Sequence, residues 1–149
     1  MREPLLTAEE AAFVRARRVA HLATVDEANR PHVIPICFAF DGRCFYTPVD
    51  EKPKRVAPAA LRRVRNIQAN PRVAVVFDLY DEDWRRLGFV QVRGEADLLT
   101  GGEEHARVLV LLREKYPQYR TMVLEDRPII RITPRGVTSW GVRGRGETA

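Results

Sequence analysis

The chain has 149 residues, 45% apolar and 30% charged, enough for one domain to bury its own core without disulfides or metal. Its formal charge of +5 comes from basic residues that are almost all arginine. They are dispersed among acids, with no helix-turn-helix, zinc-finger or RNA-binding aromatic motif beside them, which favours small anionic ligands over nucleic acid.

In chain order, Thr7 and Glu10 form a capping box for an amphipathic helix that runs to about Arg17. VAHLATV (19–25) reads as a first strand, and HVIPICFAF (32–40), interrupted by Pro35, as a second. Asp41-Gly42 signals a two-residue hairpin turn into a third strand over 43–49. That register would make Cys37 and Cys44 diagonal neighbours, a poor geometry for a disulfide, so both are expected as free thiols. A charged loop, DEKPKRVA (50–57), leads to Pro58, which suits a helix start. Ala60, Val64 and Ile67 then recur at helical spacing as one buried stripe, with Arg62, Arg65 and Asn66 away from it and Arg63 flanking it. Asn70-Pro71 ends this helix.

A fourth strand follows over 72–80, with Val73, Val75, Phe77 and Leu79 on one face, and then a charged loop carrying Trp84. Residues 87–99 read as one long strand or a bulged pair, with Gly94 at the bulge. A second long helix over 103–116, with Ala106, Leu109, Val110 and Leu112 apolar, precedes the last strand over 127–141 and a frayed Arg/Gly-rich tail over 142–149. Strands and helices do not alternate regularly, which argues against a wound parallel sheet. Hairpin-joined strands with a few helices imply a small antiparallel barrel, mainly β with α+β character, in a single domain. No apolar run is long enough to span a membrane, and MREPLLTAEE has no signal-peptide core, so the cytoplasm is the expected compartment.

The chemistry narrows by exclusion. His21, His32 and His105 share no ligand spacing with the cysteines, which argues against a metal centre. The single serine, Ser139, lies outside any G-x-S-x-G elbow, and neither G-x-G-x-x-G nor a Walker loop occurs. What remains is a cationic cluster: Lys52, Lys54 and Arg55 before the central helix, and Arg62, Arg63 and Arg65 on it. Guanidinium forks and helix N-termini both suit phosphate and carboxylate groups, so the cluster reads as an anion site. Tyr46, Phe77, Trp84 and Trp140 are candidates to wall a planar ring, Trp84 being the least core-like. His32 reads as a packed or surface histidine.

The runs HLATVDEANRPHVIPICFAFDG, FYTPVDEKPK, LRRVRNIQANPRVAVVFDLYDEDW and VQVRGEADLL occur in this order over about residues 7–141. Together they resemble the split β-barrel flavin/deazaflavin oxidoreductases typified by pyridoxamine 5′-phosphate oxidase, and more closely the branch that uses coenzyme F420. The helix-to-strand junction RNIQANPRV is the most specific piece. The resemblance implies a six-stranded split barrel and a homodimer with cofactor clefts at the subunit interface. It implies that Lys54, Arg63, Arg65 and Asn66, with Lys52 and Arg62, meet the cofactor's negatively charged tail. Pro35, Ile36, Tyr46 and Thr47 would line the ring, and Trp84 is counted among the cofactor-binding candidates. The activity implied is hydride transfer from reduced F420 to a small organic acceptor, with no obligatory nucleophile and no residue assigned as catalytic. An FMN-dependent oxidase or reductase, and a non-catalytic F420 carrier, remain alternatives.

Overall fold

The structure is a computed structural model that describes residues 5–50 and 61–142. Lys52, Lys54, Arg55, Pro58 and the tail beyond Val142 lie outside the described residues. The elements in order are α1 (Ala8–Arg15), β1 (Ala20–Val25), β2 (Pro31–Ile36), β3 (Ala39–Phe40), β4 (Phe45–Pro48), α2 (Arg62–Ala69), β5 (Arg72–Leu79), β6 (Gly88–Leu99), α3 (Glu103–Lys115) and β7 (Ile129–Trp140). Short 3₁₀ turns occupy Trp84–Arg86 and Pro117–Thr121. Among the described residues, no helix is long and apolar enough to cross a membrane.

All seven strands form one antiparallel sheet in the order β2-β1-β5-β6-β7-β4-β3. Its two edge strands, β2 and β3, are consecutive in the chain and joined only by Cys37 and Phe38. Laid flat at about 4.8 Å per strand, the edges of such a sheet would stand about 29 Å apart. The link from Ile36 to Ala39 reaches at most about 11 Å. The sheet therefore curls until its edges adjoin, giving a barrel that stays split where β2 hands over to β3.

The curl explains the strand count. The run expected as one strand over 32–40 divides in two, because its first half pairs with β1 and its second with β4. The hairpin after β3 is also wider than the expected two-residue turn. Ala39 faces Tyr46 and Phe40 faces Phe45, leaving a four-residue loop from Asp41 to Cys44. Asp41 closes that loop by accepting the Arg43 and Cys44 backbone N–H groups at 2.9 and 2.8 Å, with Gly42 at φ +98°. Both cysteines are free. Residues 88–99 form one strand, β6, and the register shift does fall at Arg93/Gly94. The extra residue is Arg135 on β7, between Pro134 opposite Gly94 and Gly136 opposite Arg93. Gly94 faces backbone there: a Cβ would stand 2.3 Å from the Thr133 carbonyl oxygen.

Two apolar clusters hold the fold. The barrel interior contains Leu22, Phe38, Phe45, Val75, Phe77, Val90, Val92 and Ile132, and Val64 and Ile67 of α2 join it from the mouth. Outside the barrel, α3 packs Val108, Leu109 and Leu112 with Tyr46, Tyr116, Tyr119 and Ile129. This helix is rotated from the expected face: His105 and Val108 are buried, whereas Ala106 and Val110 are exposed.

The end of α3 also clamps the split. The Tyr116 hydroxyl accepts the Phe38 N–H at 3.1 Å and donates to the Arg18 carbonyl at 2.8 Å. Arg18 Nη2 donates back to the Lys115 carbonyl at 2.6 Å. Tyr116→Phe strands a buried Phe38 N–H, so urea denaturation is expected to show a loss of about 1–3 kcal/mol. Val110→Ala, on the exposed face of the same helix, is expected to stay within about 0.5 kcal/mol of the parent.

Candidate functional site

The split opens into a cavity of about 450 Å³ lined by Val19, Ile34, Pro35, Ile36, Cys37, Thr47, Pro48, Asp50 and Arg63. One wall comes from the free edge of β2 and another from the end of β4, and α2 contributes the arginine. The walls are mainly apolar, as suits a flat ring system, and the polar groups are few and convergent. Arg63 is only 8% exposed. An arginine buried beside an apolar cavity is chemistry suited to an anionic ligand group.

A buried hydrogen bond ties helix α2 to β1. Asn66, 3% exposed, donates through Nδ2 to Thr24 Oγ1 on β1 at 2.9 Å. The sequence pattern placed Asn66 away from the buried stripe, but the helix closes the barrel mouth and buries Arg63, Val64, Asn66 and Ile67 together. Arg62 and Arg65 face outward.

Of the candidates read from the sequence, Pro35, Ile36, Thr47 and Arg63 come together in this cavity. Arg62 and Asn66 line a smaller polar cavity of about 260 Å³ with Asp26, Arg30, Pro31 and His32. Arg65 lines neither. Tyr46 points the other way: its neighbour Thr47 takes the cavity side, and Tyr46, 1% exposed, packs with α3. Trp84 is 69% exposed in the β5–β6 loop and lines none of these cavities. Phe77 is core, edge-on to Phe38 and tilted against Phe45, and Trp140 lies half-exposed on β7.

A larger hollow of about 930 Å³ lies on the α3 side, around Asp41, Tyr46, Glu104, Arg107 and Arg131. Asp41, Tyr46, Glu104, Arg107 and Arg131 are tied to one another or to Asp97. The Tyr46 hydroxyl bonds Glu104 at 2.6 Å and Asp41 at 3.0 Å, Arg131 bridges Glu104 and Asp97, and Arg107 pairs with Asp41 at 3.1 Å. Burial, with the Glu104 bond, pushes the Tyr46 hydroxyl well above its ordinary range and keeps it a donor. This arrangement fastens α3 to the barrel.

Sequence reasoning missed Val19, Ile34, Cys37, Pro48 and Asp50 as cavity residues. Part of the signal was available, since Ile34 and Ile36 share one face of β2 by its period of two. Behind the cavity, the Tyr119 hydroxyl donates to Asp50 Oδ2 at 2.6 Å. Burial and that bond raise the Tyr119 hydroxyl, so Asp50 is held as an acceptor. Lys115 Nζ stands 3.6 Å from the Phe38 ring centroid, and burial, with Arg18 nearby, pulls its ammonium down to about 8.

Residues 6–141 match the pyridoxamine 5′-phosphate oxidase family over most of the chain. The chain belongs to that family. A relative from Streptomyces rimosus, a 5a,11a-dehydrotetracycline/5a,11a-dehydrooxytetracycline reductase, is 30% identical over 140 residues, covering 93% of this chain and 84% of its own length. Among solved structures, a conserved hypothetical protein from Mycobacterium tuberculosis superposes with a TM-score of 0.71 at 24% identity, over 100% of this chain and 97% of its own. An F420 reductase superposes at 0.64 with 23% identity, over 89% and 98%. At these identities the two structures show the fold. The chain is thus an oxidoreductase-type member of the pyridoxamine 5′-phosphate oxidase family, a family that binds flavin-type cofactors, with a mainly β antiparallel split barrel.

The lysine behind the cavity yields a pH test within this family member. Unfolded, Lys115 holds its proton to its ordinary value of 10.5; folded, only to about 8. Between those values the unfolded chain binds more protons, so this group makes stability rise with pH across that window. The stability of the parent relative to Lys115→Met is therefore expected to increase from pH ~8 to ~10 in denaturation measurements, and to be flat below pH ~7. A difference that falls over the upper window would contradict the burial effect.

Proposed function

We propose that this chain is a reductase that takes a hydride from reduced coenzyme F420 and passes it to a small organic acceptor. The observation that carries the reading is the apolar cavity at the barrel split, with one buried arginine where an anionic tail would leave it. The reductase relative and the F420 reductase fold neighbour support it.

The residues present fit such a cofactor. Val19, Ile34, Pro35, Ile36 and Pro48 supply apolar walls, and Arg63 supplies a fixed cation beside them. When bound, the reduced coenzyme supplies the hydride. The apolar walls would hold its ring and limit the water around it. Thr47, 2% exposed on the cavity side of β4, offers a hydroxyl held by the strand. Asp50, fixed by Tyr119, offers a hydrogen-bond acceptor at the cavity edge. Arg63 would hold negative charge of the coenzyme's tail. The same reading takes the working unit as a homodimer. The outward face of β2, with Val33 61% exposed between Pro31 and Pro35, leaves an apolar edge beside the cavity.

Binding separates this reading from FMN dependence. The purified protein is expected to bind coenzyme F420, followed by its fluorescence, more tightly than FMN. Tight FMN binding with none for F420 would overturn the assignment, and F420 binding without turnover across many acceptors would favour a carrier. Arg63→Met, which keeps the aliphatic stem, is expected to weaken F420 binding about tenfold or more through loss of a charge-assisted contact, whereas Arg65→Ala should change it less than about twofold.

A further inference from the structure

The apolar cavity carries an acid as well as an arginine. Among the described residues that line it, Asp50 is the single carboxylate and Arg63 the single cation. An anionic ligand group suits Arg63 and is repelled by Asp50, so the carboxylate serves a different part of what binds.

Asp50 stands two residues past the end of β4 and is half-buried. Its Oδ2 accepts the Tyr119 hydroxyl at 2.6 Å. Tyr119 is itself held in place. Its side chain is buried, its ring meets Tyr116 edge-on at 5.5 Å between centroids, and its carbonyl accepts Arg113 Nε at 3.0 Å. Asp50 has no other hydrogen bond or ion pair among the described residues, which leaves Oδ1 without a partner there. Thr47 of β4 points the same way. It is 2% exposed and lines the cavity, and its hydroxyl has no hydrogen-bond partner among the described residues. Buried polar groups are nearly always paired, so this hydroxyl is left for whatever fills the cavity. Fastening the 117–121 turn to the chain after β4 uses one carboxylate oxygen and explains neither the second oxygen nor Thr47.

We propose that Asp50 is a specificity-determining residue, selecting acceptors that carry a neutral hydroxyl or amino group able to donate to Oδ1. Tyr119 is the positioning residue that orients the carboxylate. The inference rests on the reductase reading above and names the substrate class for it: flat, apolar molecules with a hydrogen-bond donor on their rim. Methylating that donor leaves the carboxylate desolvated and unpaired, so one added methyl group is costly.

Two probes test this: meta-hydroxybenzylideneacetone, a flat conjugated ketone with one phenol, and its methyl ether. Dissociation constants are measured by calorimetric titration on protein loaded with oxidised F420 and on coenzyme-free protein. The parent is expected to bind the phenol about tenfold more tightly than the ether. In Asp50→Asn the Tyr119 hydroxyl takes the amide oxygen and leaves the NH2 in place of Oδ1, so the preference should disappear. Tyr119→Phe lets the carboxylate turn and should reduce the preference about threefold. A loss of packing alone moves both probes together and leaves their ratio at the parent value. Equal affinities in the parent, a ratio that survives Asp50→Asn, or no binding of the phenol would overturn the assignment. So would a loss of F420 affinity in Asp50→Asn with the probe ratio unchanged, because the carboxylate would then serve the coenzyme ring. If F420 fails to bind but the coenzyme-free protein keeps an Asp50-dependent ratio, the selectivity stands and the F420 reading falls.

Discussion

Cys37 and Phe38 must join the two edges of one seven-stranded sheet. That short tether forces the curl, and the place where it crosses is the place where the barrel does not close. Backbone at such a crossing leaves hydrogen-bonding groups outside the ladder, and they need partners. Tyr116 supplies one for Phe38, and the end of α3, pinned to Arg18, supplies the support. The cavity is therefore a consequence of topology. It exists because β2 ends as an edge strand while β4 is covered by β3 and β7, which leaves an apolar trough between them.

What turns a trough into a site is the placement of α2. The Asn66–Thr24 bond fixes the rotation of this helix against β1, and that rotation decides which arginine is buried at the cavity and which stays in solvent. Because the bond is short, buried and between neutral groups, it sets orientation without adding charge. Arg63 lines the apolar cavity, and its neighbour Arg62 lines the smaller polar one. In the larger polar hollow under α3, Tyr46, Glu104 and Arg131 are bonded to one another and fasten the helix to the barrel.

Local signals in the sequence were legible where chemistry is local. The Thr7–Glu10 capping box is present with both of its reciprocal bonds, and the alternation of Val73, Val75 and Phe77 faces the barrel interior. The hairpin at Asp41-Gly42 was legible in place but not in register, because the Asp41 side chain closes a wider loop than the dipeptide alone suggests. The division of the second strand was not legible, since a strand that changes partners from one sheet edge to the other is a tertiary event. Asn66 was misplaced for a related reason: a helix capping a barrel is buried over a wider arc than one lying on a flat sheet. Tyr46 leaves the cavity to Thr47 because α3 covers the face of β4 that Tyr46 takes, a packing partner the strand's own residues do not announce. The family likeness named Pro35, Ile36, Thr47 and Arg63, which the fold brings to one cavity; the side-chain directions came from packing.

Amide hydrogen exchange, with and without reduced coenzyme F420, tests this site most directly. Opening of an edge strand is local and reports its own protection. The account predicts slowed exchange confined to β2, the end of β4 and α2, with the amides under α3 around Tyr46 and Glu104 unchanged. Protection appearing around Tyr46 and Glu104 instead, with β2 and α2 unaffected, would contradict it.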